Sequence, residues 1–277
     1  MPPIGAHVSI AGGYLEAFKR AEAIGGDAMQ IFTKSPRGGA LRKVTKEEAA
    51  EIKNWKGRRN IKKIVIHASY LLNFAKPLKL TDFESRSLLD DLESADLIGA
   101  EGVVLHIGKT LALDPVTAEK LFVKNVITIL DHTKNLKAKI ILENTAGQGT
   151  ELGYQLDHLG KIVKAIKSPR LGVCLDTQHA YAAGYSPAQL LEEFDKHIGL
   201  EKLVCIHLND SKKALGSRVD RHQDIGEGHI GEKPLKDFVK EMAAKTKGKV
   251  PFILETPEEH ENFTTQIKTV RRWLAKG

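Results

Sequence analysis

The stretch KIVIHASYLLNFAKPLKLTDFESRSLLDDLESADLIGAEGVVLHI (residues 63–107) contains two short apolar runs separated by a longer amphipathic segment. Residues 63–67 and 103–107 are rich in Ile and Val and too short for helices, so they read as buried strands. Between them Leu88, Leu89, Leu92 and Ala95 recur at helical spacing, which predicts a helix packed by one face. Strand, helix and strand in this order make one parallel crossover unit. The alternation extends in both directions, with further strand-like runs at 3–8, 27–32, 139–143, 171–176, 203–208 and 250–255. Eight strands in 277 residues leave about 35 residues per unit, enough for a strand, a helix and two short loops. Eight uninterrupted units predict an α/β fold closed into a (β/α)8 TIM barrel, one domain over residues 1–277, in preference to an open doubly wound sheet.

Helix starts agree with this reading. Thr45 with Glu48, Thr81 with Glu84 and Ser186 with Gln189 fit capping boxes, and Pro115, Pro187 and Pro257 suit first helical turns. No linker or low-complexity run divides the chain. The longest irregular piece, 209–231, is long enough to expect a functional reason for it. Hydrophobic residues make up 42% and charged residues 28%, an ordinary globular balance that excludes disorder and collagen-like repeats. Lys and Arg number 42 against 35 acids, a formal charge of +7 that suits a polyanionic partner. Cys174 and Cys205 lie inside apolar runs, favouring buried thiols in a reducing compartment. The sequence shows no membrane-length apolar stretch and its start lacks a signal-peptide pattern, so a cytoplasmic or nucleoid-associated location is expected.

The chemistry collects at strand ends. His67, His106, Glu143, Asp176, His207 and Glu255 stand at or next to the C-terminal ends of six predicted strands, and in a barrel these ends ring one mouth. His179 follows Asp176 by three residues, while Asp220 and His222 lie in the long loop after the seventh strand. Five imidazoles and four carboxylates suit zinc, manganese or iron, and exceed what one ion can take. Nine ligands would fill two or three sites, and three divalent ions among four ionised carboxylates would leave a net charge of about +2, able to hold a phosphate and acidify bound water, which points to phosphoester hydrolysis. A single strand-end histidine is usually structural, and six coinciding strand ends are what favour ligation. His7 reads as a second-layer partner of the site or as a packed core residue, and His132, His158, His197 and His260 as surface residues. No G-x-S-x-G elbow supports a serine nucleophile, and Cys174 and Cys205, two positions before Asp176 and His207, read as inward core fillers. Gly147 and Gly149, and Gly226, Gly228 and Gly231, read as turns rather than phosphate loops.

These residues sit in stretches that resemble the endonuclease IV family of metal-dependent apurinic/apyrimidinic (AP) endonucleases: GAHVS (5–9), FTKSPR (32–37), HASYLLN (67–73), ENTAGQG (143–149), GVCLDTQHAYAAGY (172–185), HLNDSK (207–212), DRHQDIGEG (220–228) and ILET (253–256). The resemblance implies three zinc ions: the first on His67, His106 and a bridging Glu143, the second on Glu143, Asp176, His207 and Glu255, and the third on His179, Asp220 and His222. It further implies base excision repair on double-stranded DNA, with incision 5′ to an abasic site that leaves a 3′-hydroxyl and a 5′-deoxyribose phosphate. Removal of 3′ blocking groups follows from the same site. Glu143 carries the implied catalytic role, and Arg37, Tyr70 and Leu71 match positions that insert into the bent duplex. A monomer is expected.

Ile107 replaces a usual Pro, Gln178 a common Cys, and Gly38-Gly39 a polar-aromatic pair, none of them at a ligand position. Lys34, Lys109, Lys212 and Lys213 could line a phosphate track. Two other functions fit less well. A sugar isomerase or epimerase of the related metal-bearing barrels would use fewer metals and fewer histidines, and a non-catalytic lesion-binding protein would not need all nine ligands.

Overall fold

The computed structural model describes residues 1–34, 44–56, 61–257 and 262–275. Strands β1 (Ile4–His7), β2 (Ala28–Ile31), β3 (Lys63–His67), β4 (Gly102–His106), β5 (Lys139–Glu143), β6 (Leu171–Asp176) and β7 (Leu203–His207) pair side by side in parallel. Two short strands, β8 (Asp210–Ser211) and β9 (His222–Gln223), form a separate antiparallel pair. Strand β10 (Phe252–Leu254) then joins β7 to β1 and closes the eight-stranded barrel.

The surrounding helices are α1 (Tyr14–Ala23), α2 (Lys46–Lys56), α3 (Phe83–Ile98), α4 (Pro115–His132), α5 (Leu156–Ile166), α6 (Thr177–Ala182), α7 (Pro187–His197), α8 (Glu232–Lys245) and α9 (Phe263–Ala275). The strands are apolar on both faces because both faces are covered, as a parallel sheet requires. Outward residues such as Ile64, Ile66, Val103, Leu105, Ile140 and Leu142 join the layer under the helices, where Ala118, Phe122, Val126 and Ile129 of α4 supply one buried stripe.

Alternation along the strands sends the other residues inward. Ala28, Val65, Val104, Ile141, Cys174, Cys205 and Ile253 form one buried interior cluster. Each stands two positions before Gln30, His67, His106, Glu143, Asp176, His207 or Glu255. Side chains two apart share a face, so seven strands contribute an apolar plug and, above it at the mouth, a polar group. Both cysteines are thus inward core fillers, and burial followed by the Cys205 hydrogen bond pushes the Cys174 thiol well above its ordinary range.

Some expected helix starts differ. The Thr45–Glu48 box forms reciprocally, with Thr45 N donating to Glu48 Oε2 at 3.0 Å and Glu48 N donating to Thr45 Oγ1 at 3.1 Å. The Thr81–Glu84 box does not form, because α3 begins one residue later with Asp82 at the cap, and Glu84 pairs with Lys76 at 2.5 Å. Ser186 caps α7 by position, but its hydroxyl donates to the Gln189 side chain at 2.7 Å instead of accepting a backbone amide. Pro115 and Pro187 open helices as expected. Pro257 lies in irregular chain after β10, outside the described part of α9.

Candidate metal centre

All nine sequence-selected carboxylates and imidazoles meet at the C-terminal mouth of the barrel. Their ligand atoms form three close groups, each with all its atoms within 4.8 Å: His67, His106 and Glu143; Glu143, Asp176, His207 and Glu255; and Asp176, His179 and His222. Asp220 adjoins the last group, with its carboxylate oxygens 3.5 Å from His179 Nε2 and 3.4 Å from His222 Nε2. Glu143 belongs to two groups because its oxygens face different partners. Oε2 lies 3.1 Å from His67 Nε2 and 3.0 Å from His106 Nε2, while Oε1 lies 2.9 Å from His207 Nδ1 and 3.3 Å from His179 Nδ1.

Local structure explains the placement. Asp176 ends β6 and caps α6, its Oδ1 accepting from His179 N at 2.7 Å, so the first helical turn brings Asp176 and His179 together. Asp220 and His222 arrive on the long loop, where β8 pairs with β9 and Asp220 N donates to Gln148 Oε1 at 3.0 Å.

Four of the five histidines have one ring nitrogen on an acceptor that is not a ligand carboxylate, although His179 Nδ1 also lies 3.3 Å from Glu143 Oε1. His67 Nδ1 meets Ala68 O at 2.6 Å, His179 Nδ1 meets Asn144 O at 2.9 Å, His222 Nδ1 meets Glu255 O at 3.0 Å and His207 Nε2 meets Gln30 Oε1 at 2.8 Å. These acceptors place a proton on the outer nitrogen and leave the inner one for a cation, the arrangement by which proteins orient metal-bound imidazoles. Among the described residues His222 Nε2 is buried without a hydrogen-bond partner, and it faces the carboxylates of Asp220 at 3.4 Å and Asp176 at 3.8 Å. The donor set fits divalent zinc, which takes imidazole and carboxylate together.

Buried acids and bases here shift in opposite senses. Burial pushes the Glu143 carboxyl up, yet the His207 and His106 imidazoles and hydrogen bonds from His106 and His179 hold it well below the ordinary carboxylate range. Glu255 behaves likewise through His207, and Asp220 through His179. Burial disfavours charge on His207 and His179, but Glu255 and Glu143 raise the first, and Asp176 and Asp220 the second, well above the usual imidazole value. His106 is raised by Glu143 against its burial. The carboxylates therefore call for positive charge at the mouth, which protons or metal ions can supply.

Several second-layer residues escaped the sequence reading. Gln30 Nε2 donates to Glu255 Oε1 at 2.5 Å, and the same amide's oxygen faces His207. Asn144 cross-links β5 to β6 by accepting from Asp176 N at 2.8 Å and donating to Asp176 O at 3.1 Å. Asn209 Nδ2 donates to Asp176 Oδ2 at 2.7 Å while its oxygen accepts from Glu255 N at 2.9 Å. Their signal is the one that marks the ligands, a polar residue at a strand end, but an amide is a poor ligand for zinc and so does not stand out beside histidine and carboxylate. His7 lies against Glu255 Oε1 at 3.4 Å and Gln30 Nε2 at 2.9 Å, in the second layer, and burial lowers its pKa despite Glu255. His132 and His158 are exposed, His197 is half-buried beside Glu193, and His260 lies outside the described residues.

A cavity of about 800 Å³ opens over the centre, lined by His7, His67, His106, Glu143, Asp220 and Tyr70 among others. Tyr70 and Leu71 project from the rim, 51% and 52% exposed. Arg37 and Gly38-Gly39 lie outside the described residues. Lys34 differs from its expected place on an open phosphate track, because its ammonium is buried against Asp91 Oδ1 at 2.7 Å and Ser87 O at 3.1 Å. Lys109 is 3.6 Å from Glu151, and Lys212 and Lys213 are exposed. Ile107 is fully buried, packed so closely on Gly153 that a Cβ there would meet Ile107 Cδ1 at 2.4 Å. Gln178 donates to Val219 O at 3.0 Å and ties α6 to the long loop beside Asp220.

Residues 18–277 match the family model described as a xylose isomerase-like TIM barrel. A probable endonuclease 4 of Halothermothrix orenii is 39% identical over 263 residues, covering 92% of this chain and 93% of that protein. One from Aquifex aeolicus is 34% identical, covering 98% and 97%. The crystal structure of endonuclease IV from Thermus thermophilus superposes with a TM-score of 0.87 at 37% identity, over the full length of both chains. A D-tagatose 3-epimerase-like protein superposes with a TM-score of 0.74 at 23% identity, a likeness of fold alone. With its barrel, its mouth residues and these relatives in agreement over nearly all of its length, the chain belongs to the endonuclease IV family of the xylose isomerase-like barrels.

Proposed function

We propose that this chain is a zinc-dependent AP endonuclease of DNA base excision repair, cutting the phosphodiester 5′ to an abasic site and clearing blocked 3′ ends. The observation that carries the reading is the bridging Glu143, whose two oxygens face two separate imidazole groups in a centre already short of positive charge. His67 and His106 would hold one ion with Glu143. Asp176, His207 and Glu255 would hold a second with the same carboxylate, and His179, Asp220 and His222 a third. Zinc bound there acidifies water and offsets charge on a phosphate, and three ions with four carboxylates leave a net charge of about +2.

The chain's own residues orient this chemistry. Ala68 O, Asn144 O, Glu255 O and Gln30 Oε1 fix the imidazole rings, and Asn209 holds Asp176 and the β10 end at one spacing. Glu143, deprotonated throughout the neutral range, offers one acceptor to each side of the bridge. Tyr70 and Leu71 sit where a duplex approaching the mouth meets the rim. Inserting there costs least at a step whose stacking is already lost, which selects an abasic site without reading a base edge.

The test joins metal analysis to incision. Purified protein should carry about three zinc ions and nick an abasic-analogue duplex on the 5′ side, leaving a 3′-hydroxyl, and chelation should abolish the cut. Zinc-replete protein that leaves this duplex intact, or that isomerises free sugars instead, overturns the proposal.

A further inference from the structure

Asp210 lies three residues past β7, fully buried, and its carboxylate accepts five backbone N–H groups. Oδ1 accepts from Ser211 N at 2.7 Å and Ile230 N at 2.9 Å, and Oδ2 from Gly226 N at 3.0 Å, Gly228 N at 3.0 Å and Gly231 N at 3.1 Å. Successive amides converging on an anion are what phosphate-binding loops use, and here the anion is the chain's own side chain. Gly228 must be glycine, since a Cβ would lie 2.4 Å from both Asp210 Oδ1 and Ser211 O.

These bonds join the outgoing and returning ends of the loop between β7 and α8. Residues 212–225 are carried between them, and they include Asp220 and His222. Those two are the site residues that neither a barrel strand nor α6 delivers. The β8–β9 ladder sets Ser211 opposite His222, and Lys212 N donates to Arg221 O at 2.9 Å. The path from the Asp210 carboxylate to the His222 ring is therefore one covalent neighbour and one ladder pair.

We propose that Asp210 is the positioning residue for the metal position formed by His179, Asp220 and His222, setting the affinity of that position and leaving the two around Glu143 unchanged. The inference rests on the three-metal reading above. Without the carboxylate the loop ends lose their common anchor, and His222 Nε2 is no longer held 3.8 Å from Asp176 Oδ2. Losing an outer-layer partner typically costs a metal about 10- to 100-fold in affinity, and that loss is expected at one position of three.

Chelator-competition titration with zinc on the full chain tests this, using the parent, Asp210→Asn and Gly228→Ala. The first variant places an amide among amide donors, and the second keeps the charge but displaces the carboxylate. Both should bind two ions with parental affinity and the third about 10- to 100-fold more weakly. Amide exchange should quicken at Ser211 and across 226–231, the amides that the carboxylate accepts, while the barrel strands exchange as in the parent, and excess zinc should restore kcat. Parental affinity for the third ion in both variants overturns the role of Asp210, and so does equal weakening at all three positions. If Asp210→Asn does not fold, Gly228→Ala decides by the same criteria. A parent that takes up only two ions overturns the three-metal reading and this inference with it, whereas a parent with three ions matched by both variants overturns the role of Asp210 alone.

Discussion

Glu143 shows most directly how one residue organises the centre. It is buried at the end of β5, and among the described residues no backbone donor reaches its carboxylate, so its oxygens are left to imidazoles on either side. Glu143→Gln keeps the volume but removes the charge and turns one acceptor into a donor facing imidazole nitrogens. On the proposed three-metal reading, both positions that would share it should weaken. Losing an outer-layer partner costs about 10- to 100-fold, so losing the bridge itself should cost incision more than about 100-fold, with bound zinc falling in parallel. Metal analysis beside an incision assay reads both quantities, and a variant that cuts at the parental rate removes Glu143 from the bridging role. Gln30 offers a graded comparison, because Gln30→Leu leaves His207 Nε2 and Glu255 Oε1 without their amide partner while every ligand remains.

At the scale of elements, the loop after β3 is braced before any substrate arrives. Leu71 N donates to Ser69 Oγ at 3.2 Å, Leu72 N donates to Ser69 O at 3.1 Å, and Asn73 Oδ1 accepts from Ala75 N at 3.0 Å and Lys109 N at 3.2 Å. Tyr70 and Leu71 are thus presented on a held turn, so little ordering remains to be lost on binding. A fully buried Leu is worth about 1.5 to 3 kcal/mol, and this one is half-exposed, so Leu71→Ala should raise KM for an abasic duplex about 10-fold with kcat and zinc content little changed. Steady-state kinetics would show it, and an unchanged KM places Leu71 outside the DNA interface. The strand ends that flank such loops were legible because strand parity and chain direction together dictate where His67 or Glu143 must point. The cap of α3 was less so, since Thr81 and Asp82 are adjacent and both can cap, and three-dimensional pairing of Glu84 with Lys76 decides between them. Asp210 left no readable signal, because its partners are backbone amides that sequence does not display.

For the whole molecule, the formal charge of +7 understates the contrast between the mouth and the rest, since four of the acids counted in it converge at the centre. In metal-free protein, protons must supply the opposing charge. His179 and His207 hold their protons more tightly folded than unfolded, so their contribution to stability is complete below the unfolded value of about 6.5 and is lost as pH rises through their raised folded values. Glu143 and Glu255 are depressed, so their contribution is present above about 4.3 and is lost as pH falls through their folded values. On the proposed reading zinc would compete with those imidazole protons, so its uptake near neutrality would release protons and its affinity would climb with pH. A ligand bound only by the folded chain raises stability with the logarithm of its concentration over Kd, so a zinc contribution would grow where the proton contribution fades. Thermal melts of chelated and zinc-loaded protein from pH 6 to about pH 8.5 should therefore diverge, with Tm of the chelated form falling and the gap between the two widening. A gap that stays constant or narrows over that range would mean that His179 and His207 do not exchange protons for metal.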